Sequence, residues 1–276
     1  MIPKELCHYT TREIALEKIL STKKIKISKL GSTNDPKESK ARQEIVIADY
    51  EKQVHKEIHR INKKAEKIRK DEWKAFCLTK SLPNLKNDTR ENIYRNYFTS
   101  GYSRPRMWAQ YAGNHSGVCL IFNGDRLSRI LDGLKDKNYV VFHGPVSYEN
   151  YDVVPSKVID YSDIEQLGLN DAIRKFYREN YEYYFLSKHA DWRDETEYRW
   201  LIHNPNKKQA EFVNIQGALT AVLVGAEFPQ VYKSTLRERF LSSWIRLEND
   251  QIHPNLPNRP QVYRMAANRG LFSNQP

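Results

Sequence analysis

Residues 37–73 constrain the fold most, because they carry a long helical periodicity. Ile47, Val54, Ile58, Ile61, Ala65 and Ile68 recur at three-, four- and seven-residue intervals, which places them on one narrow apolar seam of a helix. Elsewhere short period-two runs alternate with short helical stretches. The chain therefore reads as one α+β domain over residues 1–276, with a helical insertion at 37–73 and no internal repeat or low-complexity linker dividing it.

The other elements follow from local signals. Residues 5–9 form a strand, and Thr10-Thr11-Arg12-Glu13 is a capping box opening a helix over 11–20. A second period-two run, 24–28, precedes the turn cluster Gly31-Ser32-Thr33-Asn34-Asp35-Pro36, a fixed bend suited to lining a cleft. Further strands are expected at 75–79, 118–122, 139–142, 146–148, 197–203 and 221–224. Helices are expected at 106–112, at 162–188 with a break near Gly168, and at 232–244. Residues from about 80 to 103 read as a polar, Asn-rich loop.

Charge narrows the partners without naming one. Forty-five Lys and Arg against 34 Asp and Glu give a formal charge of +11, which favours encounter with nucleic acid, nucleotides or acidic protein surfaces. The 37–73 helix concentrates part of it in Lys63, Lys64 and Lys67, but Glu57, Glu66 and Asp71 are interspersed. A solvated helix, able to form a homodimer through its seam, is the simpler expectation. No apolar run is long enough to span a membrane and no secretory core opens the chain, so a cytoplasmic protein is expected. Cys7, Cys77 and Cys119 lack zinc-type spacing and read as buried free thiols. His55 and His59 lack the H-E-x-x-H pattern, and no metal is expected.

The chemistry-bearing stretch is Asp194-Glu195-Thr196-Glu197-Tyr198-Arg199-Trp200. On a strand, Glu195, Glu197 and Arg199 share one face, and Thr196, Tyr198 and Trp200 the other. Taken alone, such a face is a solvated edge held by cross-strand ion pairs. It gains meaning beside two other polar groups at element ends, His8-Tyr9-Thr10 and the run from Trp108 to Tyr111 with His115.

These segments resemble a widespread bacterial family known only as a domain of unknown function. Its members read H-Y-T, N-D-P-F-E, C-F-S, M-W-x-x-Y-A, H-x-G-V-C and W-x-x-E-x-E-W-R in this order. Here Lys37 stands for the usual aromatic after Pro36, Leu78-Thr79 for F-S, and Tyr198 for Trp; only Lys37 changes residue class. That family in turn looks like the ADP-ribosyltransferase superfamily with a His-Tyr-Glu triad. The resemblance implies a split, mixed β-sheet core with flanking helices and the helical insertion. It implies NAD as substrate, with no metal. His8 and Thr10 would grip the adenosine-side ribose, Tyr111 would stack on nicotinamide, Glu197 would be the catalytic acid and Glu195 would orient an acceptor. Tyr9, Asn34, Trp108 and His115 complete the expected cofactor-binding set.

Those residue types suit the reaction. Cleaving the nicotinamide–ribose bond passes through an oxocarbenium-like state that a carboxylate stabilises. An aromatic face from Tyr111 or Trp108 attracts the cationic ring, while Lys4, Lys26 or Arg12 would screen the pyrophosphate. Arg199 beside Glu197 would hold that acid ionised. The expected function is transfer of ADP-ribose to a protein or nucleic acid, or hydrolysis of NAD, in a toxin or antiphage effector. The alternative is a non-enzymatic nucleic-acid binder using the basic helix. A metal-dependent nuclease has no spacing to recommend it.

Overall fold

The computed structural model describes residues 1–32, 45–47, 54–82, 99–150, 157–236, 238, 261–265 and 272–273. Thr33 to Pro36 of the turn cluster, Asn34 among them, and residues 83–98 fall outside that set. The first half holds β1 (Glu5–Thr10), a π-helical segment (Ile14–Leu20), β2 (Lys24–Lys29), β3 (Ile45–Ile47), helix α1 (Val54–Glu72) and β4 (Trp73–Lys80). Next come α2 (Pro105–Tyr111), β5 (Val118–Asn123), α3 (Gly124–Asp132), β6 (Val140–Pro145), β7 (Ser147–Glu149) and β8 (Lys157–Ile159). Helices α4 (Tyr161–Leu167), α5 (Leu169–Glu179) and α6 (Tyr181–Phe185) then lead to β9 (Ser187–His189) and β10 (Glu197–His203). Four strands follow: β11 (Glu211–Asn214), β12 (Leu219–Val224), β13 (Gln261–Met265) and β14 (Phe272–Ser273).

The main sheet is mixed and forks at β4. Strand β10 pairs along one edge of β4 from Trp73 to Thr79. The other edge is shared: β1 pairs with Thr79 and Lys80, while β2 pairs with Lys74 and Ala75. Both run antiparallel to β4 and approach from opposite ends, so neither ladder reaches Phe76, Cys77 or Leu78. From there β1 continues into β5 and β12, whereas β2 continues into β11.

Strand alternation sorts the two faces of the sheet. On one, Leu6, Phe76, Leu78 and Trp200 pack with Leu16 and Ile19 of the π-helical segment and Leu127 and Leu131 of α3. The opposite face carries two apolar clusters. Ala75 and Leu201 pack beneath Ile61 and Ile68 of α1 and Ile173 and Phe176 of α5. Cys7, Tyr9 and Cys119 pack beneath Met107 and Trp108 of α2. The acidic stretch lies on this second face.

Two expectations about elements are corrected. The 37–73 helix is shorter: Ile45–Ile47 is a strand paired in parallel with β8, the helix starts at Val54, and Trp73 already belongs to β4. The seam residues Ile61, Ala65 and Ile68 pack inside this chain, against α5 and the sheet. The helix expected over 162–188 breaks at Gly168, where φ is +74°, as its sequence foretold, and again at Asn180, so Ser187–His189 is free to pair with β7. Helix 232–244 lies largely outside the described residues.

The junction of α1 and β4 is clamped by charge. Glu72 accepts from Arg174 Nε and Nη2, both at 2.9 Å, and lies 3.1 Å from His203 Nε2. Burial alone would raise its pKa, but His203 and Arg174 overcome this and hold it at about 2. Beside it, the fully buried Trp73 ring centroid lies 4.4 Å from that of Phe185 and 4.7 Å from that of His203. Trp73→Ala should therefore cost about 3–5 kcal/mol, the usual loss for a buried large aromatic. Urea unfolding measures this, and a loss below about 1 kcal/mol would show that the helical layer and the sheet do not share one core.

Candidate functional site

The fork opens a cavity of about 220 Å³. Its walls are Cys7, His8 and Tyr9 of β1, Lys26, Ser28 and Lys29 of β2, and residues Ala75 to Thr79 of β4. Met107 and Tyr111 of α2 close one side; Lys188, Glu195, Glu197 and Arg199 form the polar floor. The cavity thus draws on both faces of the sheet through the gap that β1 and β2 leave.

The acidic pair converges by a route that strand alternation did not anticipate. Glu195 ends a 3-10 turn, Ala190–Glu195, and Thr196 adopts a left-handed conformation with φ of +43° before β10 begins at Glu197. Thr196 holds that kink by donating its hydroxyl to the Lys80 carbonyl at 2.9 Å, while Lys80 N–H donates to the Thr196 carbonyl at 2.9 Å. Nor is β10 a solvated edge. It lies between β4 and β6, and all seven of its residues are buried.

Burial obliges every charge here to find a partner. Arg199 donates Nε to Glu197 Oε1 at 2.7 Å and Nη2 to Oε2 at 2.8 Å, a bidentate pair, and Nη1 to the Phe185 carbonyl at 2.7 Å. Lys188 Nζ donates to Glu195 Oε2 at 2.7 Å and lies 3.6 Å from Glu197 Oε2. Tyr111 donates its hydroxyl to Glu195 Oε1 at 2.6 Å. Both oxygens of Glu195 are therefore engaged. Glu197 N–H donates to the Tyr148 hydroxyl at 2.8 Å.

Electrostatics follows this geometry. Burial pushes Glu197 toward protonation, but Arg199 and then Lys188, aided by a hydrogen bond with the Cys77 thiol, hold its pKa at about 2. Burial and then the bond to Glu195 raise Tyr111 well above the ordinary phenol range, so its proton stays on the ring oxygen. His8 is lowered to about 4 by burial, with its Nδ1 3.5 Å from the Cys77 carbonyl at the open edge of β4. It is neutral at physiological pH.

Among the expected site residues, His8, Tyr9, Tyr111, Glu195 and Glu197 meet at this cavity. They do not share one surface. The His8 ring centroid is 5.5 Å from that of Phe76, on the sheet face opposite Glu197. Tyr9 is a core residue whose hydroxyl donates to the Gly101 carbonyl at 2.7 Å, and its ring meets Trp108 edge-on. Thr10 is buried without lining the cavity. Trp108 also packs into the core, its indole N–H donating to the Tyr102 carbonyl at 2.8 Å, so of the two aromatics expected to stack only Tyr111 lines the cavity. His115 sits on a left-handed turn away from the cavity; its carbonyl is 2.0 Å from where a Cβ on Gly225 would stand, so only glycine permits that approach. Arg12, one of the candidate cations, lies over the Tyr232 ring instead.

Lys188 and Cys77 were not foreseen as site residues. Cys77 gave the signal of an inert thiol, and no spacing rule links Lys188 to the acids. Its placement depends on parallel pairing of β7 with β9, which sets Lys188 beside Tyr148. Lys26, named only for screening, does line the cavity.

Acid stability should report this burial. Unfolded histidine binds a proton near pH 6.5 and folded His8 only near 4, so its contribution to stability is lost as pH falls between those values. Glu197 follows, from its ordinary 4.5 down to about 2. His8→Asn should make the first decline shallower, with His143 and His203, also lowered by burial, retaining the remainder. Urea midpoints measured against pH test this; a wild-type profile flat through the first window would contradict it.

A family described as a protein of unknown function (DUF2971) matches residues 107–200. No curated protein and no solved structure matches the chain. The matched stretch runs from Met107 to Trp200 and so contains Tyr111, Lys188, Glu195, Glu197 and Arg199, while β1, β2 and β4 lie before it. Over α2 to β10 the chain is thus similar to that family of unknown function.

Proposed function

We propose that this chain cleaves the nicotinamide–ribose bond of NAD and passes ADP-ribose to a macromolecular acceptor or to water. One observation carries the proposal: His8, Tyr111, Glu195 and Glu197, from distant parts of the chain, line a single cavity at the fork of a split sheet. The resemblance to ADP-ribosyltransferases selects these four along with Tyr9, which also lines the cavity, with Thr10, Trp108 and His115, which do not, and with Asn34, which lies outside the described residues. At about 220 Å³ the cavity is smaller than the ~300–1,000 Å³ usual for whole drug-sized ligands, so it suits the nicotinamide end. Lys26 and Lys29 on the β2 wall supply positive charge for the phosphates.

In this scheme the C–N bond breaks with its electron pair passing to the nicotinamide ring nitrogen, which leaves neutral. Positive charge develops on the ribose, and the ionised Glu197, held so by Arg199, stabilises it. The incoming hydroxyl then bonds to the sugar carbon and releases its proton to solvent. Tyr111, fixed through its hydroxyl to Glu195, offers its ring as the stacking face. Glu195 acts here as the anchor of that ring, accepting the Tyr111 hydroxyl on Oε1.

The test is nicotinamide release from NAD, with protein or nucleic acid added as acceptor. Glu197→Gln should lower release by about 10²–10³-fold, the scale for losing one preorganised electrostatic group. Tyr111→Ala should weaken NAD use more than Tyr111→Phe, which keeps the ring. Thermal melts establish that each variant is folded. Undiminished release in folded Glu197→Gln, or no release by the wild-type chain with any acceptor, refutes the proposal.

A further inference from the structure

We infer that the open face of β2 and β11 docks single-stranded nucleic acid and leads it to the mouth of the cavity. Its part in the function proposed above is to present the acceptor, and that part rests on that reading; the binding itself does not.

Strands β2 and β11 pair antiparallel at one end of the sheet, with Lys26 opposite Phe212 and Lys24 opposite Asn214. Directly opposed residues point to the same side, so alternation divides the pair into two faces. Ile25, Ile27 and Val213 face the core. Lys24, Lys26, Phe212 and Asn214 turn the other way and are exposed. A single exposed apolar side chain is ordinary. Phe212 stands out by its surroundings: it is 57% exposed, directly across from Lys26 and diagonal to Lys24. Lys26, with its strand neighbour Ser28, also lines the cavity, so this face is continuous with it.

The charge here has one sign. Glu211 is the only acid in either strand; it pairs with Ile27, on the core side, and accepts the Tyr139 hydroxyl at 2.7 Å. Lysines beside an exposed ring are what a sheet needs to hold a single strand: the ammonium groups follow the phosphates, and the ring takes an unstacked base whatever its identity. Lys24 and Lys26 are two residues apart on β2, about 6.8 Å, the scale of one nucleotide of extended backbone. A duplex keeps its base faces closed to Phe212 and gains phosphate contacts alone. An acidic protein segment likewise leaves the ring unused. The formal charge of +11 draws either polyanion, and the ring favours the one with free bases.

Fluorescence anisotropy of the whole chain over a salt series tests this, with labelled single-stranded DNA and RNA of one mixed sequence, roughly 15 nucleotides long. Both should bind, and about fivefold or more tighter than the matching DNA duplex, the scale of one base stacked on an aromatic ring. Phe212→Ala should lose about fivefold or more at an unchanged salt slope, and Phe212→Trp should retain the affinity. Lys24→Gln should instead lower the slope by about 0.7, one phosphate contact. Thermal melts establish that the variants are folded. Absence of binding at about 50 mM salt, wild-type affinity in Phe212→Ala, or polyglutamate displacing the labelled strand as well as unlabelled strand does, overturns the inference. With NAD present and nicotinamide released, the bound strand should gain the mass of ADP-ribose; release without that gain overturns the acceptor role. No release at all strikes the proposed function and leaves this surface to the binding curves.

Discussion

Two strands compete for one edge of β4, and much of the site's layout follows from that competition. Strands β1 and β2 both run antiparallel to β4 and meet it from opposite ends, so neither ladder extends to the three middle residues, which pair with β10 on the other edge. Backbone groups on a strand edge that its neighbours do not cover must be satisfied otherwise or stand beside a cavity. Here the His8 ring reaches toward the Cys77 carbonyl, and the remaining space is the cavity itself. The fork also explains how a residue on one face of the sheet, His8, and residues on the other, Glu197 and Arg199, border the same volume.

A second constraint comes from charge. Strand β10 brings an acid and a base into the centre of the sheet, where each alone would be costly by several kcal/mol. Bidentate pairing of Glu197 with Arg199 and the bridging ammonium of Lys188 reconcile this burial with an ionised floor. The result is a preorganised cluster that holds an ionised Glu197 beside an anchored Tyr111. The Glu72, His203 and Arg174 cluster does comparable work at the other end of β10, where it ties α1 and α5 to the sheet.

Much of the local structure was legible in the residues. The break at Gly168, the handoff from β1 to a helical segment and the strand at Glu197–His203 all follow from turn chemistry and periodicity. The seam of Ile61, Ala65 and Ile68 was genuine, yet the helix was drawn too long, because Ile47 fitted its spacing while Ile45–Ile47 found a strand partner in β8. The acidic face of β10 looked like a solvated edge for a similar reason. Alternation states which residues share a face, and only the neighbouring strands decide whether that face meets water.

The sequence by itself determined the class of fold and the elements with strong periodicity, and it singled out nine polar and aromatic residues, of which His8, Tyr9, Tyr111, Glu195 and Glu197 line the cavity. Such signals are local, since capping, turn preference and face-sharing act over a few residues. Only the tertiary structure decided that Trp108, Thr10 and His115 stand apart from the cavity, that Glu195 reaches it through a left-handed turn at Thr196, and that Lys188 meets the acids. Each of those depends on strand pairing between residues far apart in the chain, and the energy that selects one pairing over another resides in the packed core and its buried charges.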